Sequence, residues 1–267
     1  MSENGNEGRR PAVERLREQR EREQAAEKRK RGIKVGLVAV AVLAVVGVIG
    51  YAAAGGSLGD GDGEAAAPIS EGKGQAPVTL TVYEDFRCPG CASFETRFKD
   101  TLHELVEDGQ LRTEYHLVTI IDGNMGGNGS RAAANAAHCA KDAGKFTPYH
   151  DLLFASQPPE QEDTFADQGY LIELAGQIPG LDSPEFRSCV RNGTYAEKVR
   201  ATNAAFTASE HNATPTVLLG GENVYGDPAD PLTPESLREK VAGLAKAADG
   251  GKAGGDGTGA GGDAAGS

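Results

Sequence analysis

Between residues 78 and 91 the apolar period changes from two to 3.6, and a Cys-Pro-Gly-Cys turn marks the change. VTLTVYEDF (78–86) is β-branched and aromatic and reads as a strand. Pro89 then suits a helix's first turn, and CASFETRFKDTLHELVED sets Phe94, Phe98, Leu102, Leu105 and Val106 on one helical stripe. Gly109 stops that helix, and LRTEYHLVTII (111–121) reads as a second strand. Strand, helix and strand within about 44 residues form a βαβ unit, which predicts parallel strands and a right-handed crossover.

The stretch 129–211 is helical in pattern almost throughout, broken by Pro and Gly near 144–148, 157–159, 179–184 and 192–193. After NATP, TVLLG (216–220) returns as a strand, ENVYG can pair with it as a hairpin, and TPESLREKVAGLAKAA closes as a helix starting at Thr233. The order is βαβ, an inserted helical block at about 122–195, then ββα. That is an α/β domain over 77–247.

The flanks differ sharply from this domain. Residues 1–34 hold 11 Lys/Arg against 7 Asp/Glu, leaving 16 against 32 for the rest of the chain. So acidic a body offers no basic face for phosphates, which argues against nucleic acid as a partner. Val35–Ala54 is a run of 20 uncharged residues, long enough at 1.5 Å per residue to cross a hydrocarbon core of ~30 Å. KRKRGIK abuts it and an acidic flank follows. The positive-inside rule then makes it a transmembrane signal anchor, with 1–34 a cytoplasmic charged arm and everything after 55 outside. A cleaved signal ending at the alanines 52–54, or a buried soluble helix, fits the charged leader and full-length run less well. Residues 55–76 read as a flexible linker and 248–267 as a disordered Gly/Ala-rich tail.

A bare C-x-x-C fits a redox disulfide, half a zinc site or a structural bridge. Its place on the chain decides. Cys88 falls where the first strand ends and the helix begins, so unpaired N–H groups and the helix dipole favour its thiolate. Cys91, one turn on, is buried by the helix's inner face and close enough to bond back. The outer sulfur is attacked and the inner one resolves the mixed disulfide. A zinc set of Cys88, Cys91, His138 and Cys139 is possible by ligand type. A strand–helix junction with a proline turn suits it poorly. DGNMGGNGS (122–130) lacks the Lys-Ser/Thr of a phosphate loop and reads as a flexible lead-in to the insertion.

With FRCPGCASF after a strand, a helical insertion of this size and ATPTVLLG near the end, residues 77–247 resemble the DsbA-like thiol:disulfide oxidoreductases of the thioredoxin-fold superfamily, in a membrane-anchored bacterial form. The resemblance implies that Thr214-Pro215 is a cis-proline loop facing the redox pair and holding substrate by backbone contacts. It also implies cysteine-containing exported proteins as substrates and a DsbB-like or VKOR-like membrane partner as re-oxidant. The function expected is introduction of disulfides by exchange at Cys88 and Cys91, with no cofactor and no metal. Rival readings are a reductase or isomerase, for instance in cytochrome maturation, and a non-enzymatic tethered binding module. If Cys88 and Cys91 are the redox pair, Cys139 and Cys189 remain as a structural disulfide or as two buried thiols. The chain departs from the family at Val82, six residues before Cys88, where many members carry a buried acid. Glu84 and Asp85, at the strand's exit, are expected to be solvated.

Overall fold

The computed structural model describes residues 67–253. The arm 1–34, the apolar run 35–54 and most of the linker and tail lie outside them. Among the described residues no helix is long and apolar enough to cross a membrane.

Five strands form one mixed sheet: β1 (Ile69–Glu71), β2 (Val78–Glu84), β3 (Leu111–Leu117), β4 (Thr216–Leu219) and β5 (Glu222–Asn223), in the order β1-β3-β2-β4-β5. β2 and β3 are parallel, from Val78 opposite Leu111 to Glu84 opposite Leu117, while β1, β4 and β5 run antiparallel to their neighbours. The crossover between β2 and β3 is α1 (Pro89–Glu107). Its stripe of Phe94, Phe98, Leu102 and Leu105 is buried. Gly109, at φ 72°, ends it by letting Gln110 N–H reach back to the Leu105 carbonyl.

Between β3 and β4 the chain is helical: α2 (Ile120–Met125), α3 (Gly129–Asp142), α4 (Phe146–Ala155), a 3₁₀ turn at Thr164–Ala166, α5 (Gln168–Ala175), α6 (Pro184–Asn192) and α7 (Ala196–Ala208). Helix α8 (Pro234–Ala253) closes the domain, its first turn capped by the Thr233 hydroxyl accepting from Ser236 N–H. The β4–β5 hairpin turns on Gly220 and Gly221, both at positive φ, as a two-residue primed turn requires.

Three boundaries differ from the sequence reading. β1 lies inside the stretch read as linker, because Ile69 is buried and Ile69–Glu71 pair with the free edge of β3. Helix α8 continues past 247 to Ala253. The second strand stops at Leu117 rather than at 121, and Ile120 and Ile121 begin α2 instead. The reason is Asp85, whose Oδ2 accepts the Ile121 N–H at 2.9 Å and so satisfies an N–H that α2's own first turn cannot.

Alternation along β2 divides its neighbours. Val78, Leu80, Val82 and Glu84 face the deep core. Tyr83 points the other way, stacked on His116 and tilted against Phe206 of α7.

Candidate active site

The strand-to-helix corner carries the reactive pair. Cys88 is the N-cap residue of α1, extended at φ −78° and ψ 119°, and its side chain caps nothing. Pro89 fills the first helical position without sacrificing a needed donor. Both cysteines are free thiols; Cys88 is 8% exposed and Cys91 fully buried. The Thr214–Pro215 peptide is cis, and the Cys88 thiol donates to the Thr214 carbonyl at 3.4 Å. Gly90 makes this approach possible: a Cβ there would stand 3.3 Å from Pro215 Cδ and 3.6 Å from Cys88 Sγ. The structure thus brings Cys88, Cys91, Thr214 and Pro215 together.

The two sulfurs are pushed in opposite directions. Cys88 is lowered from 9.0 to about 6, chiefly by a hydrogen bond from the Cys91 thiol. Burial opposes this, while the Thr214 side chain and the backbone N–H groups of Cys91 and Gly90 add to it. Cys91 is held well above its ordinary value by burial and by the hydrogen bond it makes to Cys88. At neutral pH the outer sulfur is a thiolate and the inner one a thiol, the division that exchange chemistry uses.

Glu84 and Asp85 overturn an expectation, because neither is solvated and both are 0% exposed. Glu84 Oε1 sits 2.8 Å from His150 Nε2 of α4, which also packs against Phe86 and Tyr115. Glu95, one turn after Cys91 on α1, is buried beside them. Among the described residues, Glu84, Glu95 and His150 form a set whose donor atoms lie within 4.8 Å of one another, close enough to hold a metal ion. The His150–Glu84 contact is that of an ion pair. Burial opposes the imidazole's charge, yet Glu84, Asp151 and Glu95 outweigh it and hold His150 well above its usual value. Glu95 is driven far up by burial and then by the Glu84 charge, so it keeps its proton. Glu84 Oε2 and Glu95 Oε1 are buried without other partners. A proton held between the two carboxyls pairs both, leaving the cluster uncharged overall. Cys91 lies against its edge: the Asp85 N–H points at Cys91 Sγ at 3.5 Å, and the Glu84 charge helps keep that thiol protonated.

Cys139 of α3 and Cys189 of α6 are bonded to each other, 50 residues apart in sequence. With its sulfur in a disulfide, Cys139 cannot join Cys88, Cys91 and His138 as a thiolate ligand. His138 stacks on Tyr195 instead.

Sequence reasoning passed over four further residues at the corner. Arg87 is buried and bonds Asp122 Oδ1 at 2.8 Å, Gly126 O at 2.9 Å and Glu160 O at 3.1 Å. Gln157 donates to the Phe86 and Cys88 carbonyls. His150 and Glu95 complete the buried cluster. For Glu95 a signal existed, since it sits at i+4 from Cys91 within the apolar stripe; for the others the partners are too distant in sequence to be read.

Comparison with known proteins agrees with this geometry. The thioredoxin family profile matches residues 64–242. The serine/threonine-protein kinase PknE of Mycobacterium tuberculosis is 31% identical over 169 residues, which are 59% of this chain but only 30% of the kinase. The probable disulfide bond formation protein D of Bacillus anthracis is 25% identical over 193 residues, covering 70% of this chain and 87% of that one. Among solved structures, oxidised Mycobacterium tuberculosis DsbA superposes with a TM-score of 0.58 at 29% identity, over 70% of this chain and 98% of its own. A family profile over residues 64–242, laid over a cysteine pair at a helix N-terminus that faces a cis-proline loop, makes this chain a member of the thioredoxin family, and within it the likeness is to the DsbA-like thiol:disulfide oxidoreductases.

Proposed function

We propose that the chain is a membrane-tethered thiol:disulfide oxidoreductase that introduces disulfides into exported proteins. The observation that carries this reading is the stabilised Cys88 thiolate at the head of α1, beside a buried Cys91 that stays a thiol. A stabilised thiolate is a good leaving group and favours the reduced enzyme, and so makes the oxidised enzyme an oxidant.

In the forward reaction a substrate thiolate attacks Cys88 Sγ of the oxidised pair. The Cys88–Cys91 bond breaks, and Cys91 leaves and takes a proton. A second substrate thiolate then attacks the substrate sulfur of the mixed disulfide and expels Cys88 as its thiolate. The substrate has lost two electrons, and the enzyme ends as the dithiol. Thr214 and Pro215 hold the substrate chain against Cys88, and the Cys139–Cys189 bond braces the insertion. A quinone-linked DsbB-like or VKOR-like membrane protein restores the disulfide. Val35–Ala54 anchors the domain, with residues 1–34 cytoplasmic and the catalytic domain extracytoplasmic.

The test is direct. Cys88→Ser should abolish both thiol oxidation and insulin reduction, and Cys91→Ser should accumulate mixed disulfides with exported proteins. A Cys88→Ser protein with wild-type activity would sink the mechanism. A potential as low as a cytosolic reductant's would make it a reductase. For the anchor, a reporter fused after residue 60 should lie outside and the full chain should resist carbonate extraction. A soluble form beginning near 55 would mean a cleaved signal.

A further inference from the structure

Where β2 leaves the sheet, its last ladder pair is Glu84 with Leu117, so the carbonyls of Phe86 and Cys88 lie beyond the reach of β3. Cys88 O takes the first-turn N–H groups of α1, from Cys91 at 3.1 Å and Ala92 at 3.2 Å. The Gln157 amide, just past the end of α4, donates to both carbonyls at once: Nε2 is 2.8 Å from Phe86 O and 3.0 Å from Cys88 O. The same loop holds the residue between them. Glu160 O accepts from Arg87 Nη2 at 3.1 Å, and Asp163 lies 3.1 Å from Arg87 Nη1. One segment of the insertion, 157–163, therefore bonds three consecutive residues of the reactive corner.

We infer that Gln157 is a positioning residue for Cys88, through which the helical insertion sets the acidity of the attacked sulfur. The amide touches no sulfur. It bridges the carbonyl two residues before Cys88 to Cys88's own, and so fixes the turn that aims the Gly90 and Cys91 N–H groups at Sγ. Those N–H groups are among the causes that lower the Cys88 thiol. Without the bridge the corner depends on α1's first turn alone, and the N–H groups stray from the sulfur. Glutamine suits the task because a carboxylate would meet two carbonyl oxygens and a methionine would give neither a donor, leaving Cys88 O to the first-turn N–H groups alone.

The inference rests on Cys88 as the attacked sulfur, yet its test reads the thiol rather than turnover. In the reduced full-length protein, Gln157→Met should lower the Cys88 acid dissociation constant about three- to tenfold, followed by thiolate absorbance or by the pH dependence of alkylation. The equilibrium constant with glutathione should shift in the reducing direction by a comparable factor. If Gln157→Met does not fold, Gln157→Asn, one methylene too short to span both carbonyls, is read instead. The control is Cys139→Ala/Cys189→Ala, which loosens the insertion elsewhere and should lower the melting temperature without moving the titration. A Gln157 variant that titrates within twofold of wild type overturns the proposal. So does a control that moves the titration as far as Gln157→Met does. A wild-type protein that lacks exchange activity although its Cys88 titrates low would count against the proposed function and leave this inference standing.

Discussion

Cys91→Ala and Cys91→Ser should separate in the titration of Cys88. The hydrogen bond from the Cys91 thiol is the largest influence holding Cys88 at about 6 rather than 9.0. A hydrogen bond to a charged group contributes about 1.5–3 kcal/mol net. At roughly 1.36 kcal/mol per pKa unit, removing that donor with alanine should raise Cys88 by about one to two units. It should not return to its ordinary value, because Thr214 and the N–H groups of Gly90 and Cys91 remain. Serine keeps an O–H near the same place and should leave the titration within about half a unit of wild type. The assay is thiolate absorbance of the reduced proteins across pH, checked by alkylation rate. An alanine variant titrating like wild type would refute the assignment of the hydrogen bond as the main cause. Alanine and serine variants titrating alike would refute it equally. The sign for stability follows from the same shift. A depressed folded-state pKa stabilises the reduced protein fully above the ordinary value of 9.0, partly at neutral pH, and not at all once pH has fallen through about 6. At pH 7 the share already present is about 1.4 kcal/mol.

The potential of the wild-type pair should fall by about 59 mV per pH unit below pH ~6 and by about 30 mV above it, because reduction takes up two protons below the Cys88 pKa and one above; a single slope throughout would place that pKa elsewhere. Glu95→Gln should stabilise the protein increasingly as pH rises above the usual carboxyl range and make no difference well below it, since an acid raised by burial costs stability wherever the unfolded chain would ionise it; denaturant midpoints at several pH values would show this. Arg87→Met leaves buried Asp122 held, among the described residues, by the Ser130 and Arg131 backbone N–H groups without its ion-pair partner, and should destabilise by about 3–5 kcal/mol in urea titration. Cys139→Ala/Cys189→Ala opens a 50-residue loop and should cost about 2–4 kcal/mol, a fall of roughly 4–16 °C in calorimetry, with exchange activity kept at low temperature.

The parts of the fold that could be read from sequence are those whose causes are local. The period-two run of β2, the stripe of α1, the paired glycines of the β4–β5 hairpin and the Thr233 cap each act over a few residues. Cys88 at the helix start belongs with them. What stayed hidden depends on partners far along the chain. Asp85 looks like an exposed strand end until its bond to Ile121, 36 residues on, is known; Glu84 pairs with His150 at a separation of 66, and Gln157 reaches Cys88 across 69. No window of sequence contains both ends of these contacts, and charge beside a turn ordinarily means solvent.

Glu84 nevertheless carried a local sign that the alternation of β2 makes plain. Val82 stands where the resemblance leads one to expect an acid, and Glu84 is two residues further toward Cys88. A strand returns to the same face every second residue, rising about 3.3 Å per step. Moving the acid by two therefore keeps it in the deep core, with Val78, Leu80 and Val82, and carries it about 6.6 Å nearer the redox corner. A shift of one would have set it at Tyr83's place, against His116 and Phe206 on the opposite face and away from His150 and Glu95. At 84 it meets His150, and Glu95 supplies the proton that the remaining oxygen needs. The displacement is tolerated because α1 and α4 present those two side chains to one point beneath Cys91. A strand read by its period rather than by its polarity would have put Glu84 inside.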